Sequence, residues 1–113
     1  MKANELLTVE DRVRLLVNAL ADDRDAAPIL KLFTPDGTAT WLISETDLED
    51  PDRLFGLCDL GLGFPELGYV SLAEISSVRG PLGLPVERDL HFVGDKPLSV
   101  YAEEARRQGR IVA

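Results

Sequence analysis

Residues 32 to 44 read LFTPDGTATWLIS, and the fold turns on this stretch. Pro35 fixes its own φ and Gly37 can adopt a positive one, so TPDG reads as the turn of a β-hairpin between two apolar runs. In the second run Ala39, Trp41 and Ile43 alternate onto one face, while Thr38, Thr40 and Ser44 take the other, interrupted by Leu42. Trp41 is therefore expected in the core. ILKLF, residues 29 to 33, supplies the first strand behind Pro28.

Upstream, Thr8 and Asp11 form a capping box with aspartate in place of the usual glutamate, and Val13, Leu16, Val17 and Leu20 recur at helical spacing. This predicts a helix over residues 9 to 21, ended by ADDRDAAP. Downstream, RLFGLCDLG and GFPELGYVSL read as a third strand and a turn followed by a fourth. Ser71 and Glu74 then make an S-x-x-E box in front of a short helix, LAEISSV, ended by Gly80 and Pro81. PVERDLHFV is a fifth strand. Ser99 is placed to cap a final helix with Arg106 and Arg107 in its last turn and Gly109 as its stop. The expected fold is a single α+β domain over residues 1–113. It has a small, mainly antiparallel meander of about five strands, an N-terminal helix, a short middle helix and a C-terminal helix.

Composition narrows the function classes. The 113 residues are 45% hydrophobic and 28% charged, a globular balance, with a formal charge of −8 that opposes non-specific binding to phosphate backbones. Nucleic acid is an unlikely partner on that ground, although Arg106, Arg107 and Arg110 leave the C-terminal helix locally basic. One cysteine, Cys58, permits no internal disulfide, no apolar run suits a signal peptide or a membrane span, and a cytoplasmic protein is expected. Cys58 lies in an apolar strand next to Asp59, the setting of a packed, unreactive thiol.

If residues 86 to 93 are extended, Glu87, Asp89 and His91 share one face and could converge on a divalent metal, or supply a general base with its orienting partner. Without such a ligand the same face is merely solvated. Arg88 lies on the opposite face with Val86, Leu90 and Phe92, and if that face is buried its guanidinium needs a partner, with Asp59 and Glu66 as candidates. Gly61 and Gly63 precede no helix and no Lys-Ser/Thr follows, so no phosphate loop and no cofactor is expected. The PDG and PD pairs at residues 35 to 37 and 51 to 52 lack the Glu-x-Lys or Asp-x-Lys of a nuclease. RGPLGLP, residues 79 to 85, is a shaped loop able to present Leu82 and Leu84 to a partner. Glu45, Asp47, Glu49, Asp50 and Asp52 form an acidic run relieved only at Arg53.

LFTPDGTATWLISETD and GFPELGYVSLAEISSVRGPLGLPVERDLHF together resemble the family catalogued as domain of unknown function 2958 over about residues 29 to 98. The likeness rests on the order and spacing of Trp41, the P-E-L-G-Y turn at residues 65 to 69 and the R-G-P-x-G-L-P-x-E-R-D segment at residues 79 to 89. It implies a bacterial protein of plasmids and other mobile elements and no established activity. Tyrosine is common at the position of His91 in similar sequences, which centres the polar set on Glu66, Arg79, Glu87, Arg88 and Asp89. Two arginines and three acids can form an ion-pair network or a catalytic site.

The leading expectation is a non-enzymatic interaction or regulatory protein with an unknown protein partner from the host or the mobile element. Its binding residues would be Arg79, Pro81, Leu82 and Leu84 of the loop and Glu45, Asp47, Glu49 and Asp50 of the acidic surface. In one form it is an anti-defence inhibitor whose carboxylates occupy a basic groove. The alternatives are a metal-dependent hydrolase using Glu87, Asp89 and Glu66 with Arg79 or Arg88 on an anionic transition state, and a nucleic-acid-binding module using the basic C-terminal helix.

Overall fold

The computed structural model describes residues 6–21 and 25–113. Residues 1–5, which bear on the signal-peptide reading, and residues 22–24 of the helix-ending cluster lie outside the described residues. The order of elements is α1 (Val9–Leu20), β1 (Leu30–Phe33), β2 (Thr40–Thr46), β3 (Arg53–Asp59), β4 (Glu66–Ser71), α2 (Leu72–Ser77), β5 (Glu87–Arg88) and α3 (Leu98–Gln108). The sheet runs β4-β3-β2-β1-β5, every neighbouring pair antiparallel. The α+β meander expected from the hairpin signal is the observed fold, with β5 added beside β1.

The period-2 reading of β2 holds in three dimensions. Trp41 and Ile43 pack with Leu30, Leu32 and Leu54 against Leu6, Leu7, Leu15, Leu72 and Ile75, on the side of the sheet covered by α1 and α2. Leu42 points the other way and meets Leu57, Leu98, Tyr101, Ala102, Ala105 and Ile111 under α3. Leu42, which broke the alternation, is thus the centre of a second core. Each fully buried leucine contributes about 1.5–3 kcal/mol, so both faces are held mainly by aliphatic burial. The hairpin turn closes from Thr34 to Gly37, with the Gly37 N–H donating to the Thr34 carbonyl at 3.2 Å. Pro35 and Asp36 occupy its middle, and Gly37 is not among the glycines of positive φ, contrary to the expectation.

The helices depart from the sequence reading in instructive ways. The α1 capping box is complete: Asp11 N–H donates to Thr8 Oγ1 at 3.1 Å and Thr8 N–H to Asp11 Oδ2 at 2.8 Å. Yet the helix is turned over. Its buried residues are Asp11 and Leu15, while Val9, Val13, Leu16, Val17 and Leu20 face solvent. Two polar ties compensate: Asn18 Nδ2 donates to the Ser44 carbonyl at 2.8 Å, at the bulge in β2, and Asp11 receives Arg88. The second helix has half of its expected box, Glu74 N–H donating to Ser71 Oγ at 3.2 Å. The rest of its cap comes from Asp52, whose carboxylate accepts from Ser71 Oγ at 2.6 Å and Ala73 N–H at 2.8 Å.

Ser99 is not the cap of α3. Pro97 holds that position, Ser99 lies inside the first turn, and Asp25 accepts both its N–H, at 2.9 Å, and its hydroxyl. The helix ends at Gly109 as expected.

The fifth strand is shorter than PVERDLHFV suggested. Only Glu87 and Arg88 pair, with Phe33 and Leu32, before the chain turns. The turn has a local cause: Asp89 Oδ1 accepts the His91 N–H at 2.9 Å, and the Phe92 N–H reaches back to the Asp89 carbonyl at 3.4 Å.

Candidate functional site

Three loops meet at one end of the sheet, and the hairpin turn is their centre. On one side Asp36 Oδ2 accepts the N–H groups of Leu82, at 2.7 Å, and Leu84, at 3.3 Å. The loop closes on itself through an Arg79–Pro85 bridge, a Gly80 N–H to Leu84 carbonyl bond of 3.2 Å and a Gly83 N–H to Gly80 carbonyl bond of 2.9 Å. Asp36 Oδ1 is buried and accepts no hydrogen bond from the described residues. A methyl group added at Gly80 would lie 1.8 Å from it, so only glycine admits this approach. On the other side Gly61, at φ +81°, lies against Thr38, where a Cβ would come within 1.9 Å of Thr38 Oγ1. Asp59, buried, fixes that turn and the carboxyl-terminal segment together, accepting from Gly61 N–H at 2.8 Å and Ile111 N–H at 2.9 Å.

What these loops display is apolar. Leu82 is 81% exposed, Phe64 80% and Leu62 75%, with Leu60 and Leu84 also at the surface. Arg79 and Arg106 border them: Arg106 lines a shallow cleft with Phe64, Pro65, Glu66 and Leu67, and Arg107 and Arg110 follow on the end of α3 and beyond it. Arg79 Nη1 donates to the Ser76 and Val78 carbonyls, both at 2.9 Å, finishing α2 rather than joining an acidic network.

The acidic run occupies the opposite end of β2, about 23 Å away along seven strand residues. The loop Arg79–Pro85 and the acidic residues are therefore two surfaces, not one. Asp47 Oδ1 accepts from the N–H groups of Glu49, at 2.8 Å, and Asp50, at 3.3 Å, and Asp50 Oδ1 from that of Asp52 at 3.0 Å. Hydrogen bonds from Ser71 and Ala73 outweigh burial and hold the Asp52 carboxyl below its ordinary range, so Asp52 serves as a helix cap. Glu49 and Asp50 remain exposed. Between this loop and α1 lies a cavity of about 290 Å³, lined chiefly by Leu7, Leu15, Leu16, Leu48, Pro51 and Leu54, with Arg12 and Asp47 on its rim.

The remaining candidates do not assemble. Glu66 begins β4 at one edge of the sheet and Glu87 begins β5 at the other, about 19 Å across four strand spacings. A metal held by Glu66, Glu87 and Asp89 is incompatible with that order. The turn at Asp89 also removes Glu87, Asp89 and His91 from a common strand face, and among the described residues no three of His, Cys, Asp and Glu are placed to hold a metal ion.

Asp89 is occupied by the His91 N–H and by Lys31, whose Nζ stands 3.5 Å from Oδ2. The His91 bond is the largest influence on its carboxyl, and against burial the bond and the lysine keep it below the ordinary range. Arg88 has its partner, but the partner is Asp11 on α1, not Asp59 or Glu66. Nη2 donates to Oδ1 at 2.9 Å and Nη1 to Oδ2, a two-pronged contact. Burial opposes ionisation of Asp11, and the hydrogen bonds from Arg88 and Thr8 overcome it, leaving the carboxyl below its usual range. Cys58 is pushed up to about 11 by burial first and the Glu66 charge second, as befits an unreactive thiol.

Sequence reading missed the long-range contacts of Asp36, Asp11 and Asp25, each of which fixes a segment distant in sequence. It also missed Leu60, Leu62 and Phe64 as companions of Leu82. The only available signal was spacing: exposed leucines and a phenylalanine in a Gly/Pro-rich turn have no strand face to occupy. No curated protein and no solved structure matches the chain. A family model does match residues 6–112, well beyond the motifs that carried the resemblance, and the chain belongs to that family, DUF2958, the proteins of unknown function.

Proposed function

We propose that the protein is a non-enzymatic interaction module whose recognition surface is the three-loop end, with Leu82 and Phe64 as its anchors. The observation that carries this reading is the combination of exposure and restraint: Leu82 stands 81% exposed on a backbone tied down by Asp36 and by the loop's own hydrogen bonds. Apolar side chains on a backbone already held in place lose little conformational entropy on docking, which favours recognition. In keeping with the mobile-element setting that the family resemblance implies, the partner is a protein of the host or of the element, met in the cytoplasm. Affinity capture from the native host, with and without nuclease, tests this when run beside Leu82→Asp and Phe64→Asp. Loss of the captured partner in both variants, with melting unchanged, is the expected result, and capture indifferent to both would end the proposal. A partner lost on nuclease treatment would instead give the end, with Arg106, Arg107 and Arg110, to nucleic acid.

A second reading assigns a role to the other end. Glu49 and Asp50 project from a loop whose backbone Asp47 fixes, a preformed acidic surface suited to a basic groove, as an anti-defence inhibitor would use. Neutralising Glu45, Glu49 and Asp50 should then weaken partner binding and flatten its salt dependence. Binding unchanged at both low and high salt would dispose of this version.

A further inference from the structure

We propose that α1 is a self-association face through which two copies of this chain pair, the acidic loop of each copy meeting the arginines on the helix of the other. The apolar stripe of this helix is covered by none of the described residues. Val9, Val13, Leu16 and Leu20 are spaced four, three and four residues apart, the seam spacing of a helix pair, and Val17 broadens it. Val17 is 58% and Leu20 66% exposed, while the inward side of the same helix carries Asp11 and Asn18, both committed to polar ties. A stripe left in water adds nothing to the stability of a monomer, being as wet as in the unfolded chain; covered by a second stripe it is a core.

Size and charge name the occupant. A helix of 12 residues is about 18 Å long and 10 Å wide, too little for the roughly 800 Å² per partner of a stable interface. The contact must extend over the neighbouring apolar cavity, where Leu16 of the stripe and Leu48 of the acidic loop already line one continuous surface. That loop presents Glu49 and Asp50, and α1 carries Arg12 and Arg14, neither of which has an ion-pair partner among the described residues.

At 100° per residue the two arginines flank the stripe on opposite sides. Antiparallel pairing about a two-fold axis brings Arg12 of one copy to the loop side of the other, and parallel pairing brings Arg14 there. Either way an arginine faces an acidic loop twice, once in each direction, as an isologous interface requires. The surface carries its own complement, which is why the occupant is a second copy rather than a foreign chain.

Sedimentation equilibrium of the full chain from low micromolar to roughly 100 μM tests this, a range that spans weak but specific association. The wild type should reach the mass of a dimer, and Val13→Asp/Val17→Asp, which alters only exposed positions, should stay monomeric, with the melting curve of the wild type at concentrations where the wild type is itself monomeric. Charge exchange gives a second readout. Arg12→Glu/Arg14→Glu and Glu49→Lys/Asp50→Lys should each dimerise at least about tenfold more weakly than the wild type. Mixed together, they should form a heterodimer in which both loop-to-helix contacts are restored. A wild type that stays monomeric throughout the range overturns the proposal, and one that instead binds anionic vesicles through this stripe gives the face to a membrane. A dimer that survives Val13→Asp/Val17→Asp, or a mixture with no preference for the heterodimer, equally overturns it.

Discussion

Single carboxylates hold this molecule together across long stretches of chain, and Asp11 shows how. It completes the cap of α1 and, 77 residues away in sequence, receives Arg88 of β5. Because its folded carboxyl titrates below the ordinary value of about 3.9, its contribution is fully present above that value. It is lost as pH falls through the lowered one. The melting temperature should therefore drop steeply below about pH 4, and Arg88→Met should do two things. It should cost about 2–4 kcal/mol at neutral pH, toward the lower figure because the guanidinium still touches water, and it should move the acid limb upward, since only the Thr8 hydrogen bonds would then oppose the burial of Asp11. Melting curves from pH 2 to 7 decide this: a variant with an unmoved acid limb would show that the pair does not govern it. Cys58 gives a simpler check. With its thiol pushed up to about 11, it should resist alkylation at pH 8 in the folded protein and react at once in denaturant. The need of Arg88 for a partner was legible in the sequence; the partner was not, because Asp11 already had an adequate explanation as a capping residue.

At the level of elements, local pattern specified what forms and left open which way it faces. The hairpin, the α1 capping box and the glycine stop of α3 all follow from short-range chemistry, and all are present. The orientation of α1 could not be read, because periodicity identifies a stripe but is silent on whether core or partner covers it. Strand β5 failed differently: alternation continued through Leu90 and Phe92, but the Asp89 side chain closes a turn onto His91 that outcompetes two more rungs of pairing. The cap of α3 illustrates the same limit, since Ser99 had the right residue type and Asp25 has the right position. Asp25→Ala should destabilise the domain by about 1 kcal/mol, as the loss of an N-terminal cap does, while Ser99→Ala, which keeps the N–H to Asp25 bond, should cost less. Denaturant unfolding of the two variants separates them; equal losses would mean that the hydroxyl, not the backbone N–H, is the important donor.

The two proposed surfaces lie at opposite ends of the sheet. One end of the sheet gathers the loops around Asp36 and Thr38 and shows Leu82 and Phe64; the opposite end joins the acidic loop to the open stripe of α1. The seven-residue β2 strand separates them, so substitutions at one end should be additive with those at the other, beyond the range of about 10 Å over which neighbours couple. Pairing through α1 would leave the three-loop end of each copy free, and a dimer would engage a dense array of partners with two recognition surfaces. Asp36 provides the decisive variant. Asp36→Ala removes the acceptor for the Leu82 and Leu84 N–H groups without touching α1, so those two amides should exchange with solvent far faster while the mass in sedimentation stays that of the wild type. Capture of the partner should fall in parallel with the lost protection, because the cost of ordering the loop would then be met at binding rather than during folding. Undiminished capture with the amides unprotected would show that restraint of this loop is irrelevant to recognition, and would remove the observation on which the interaction reading stands.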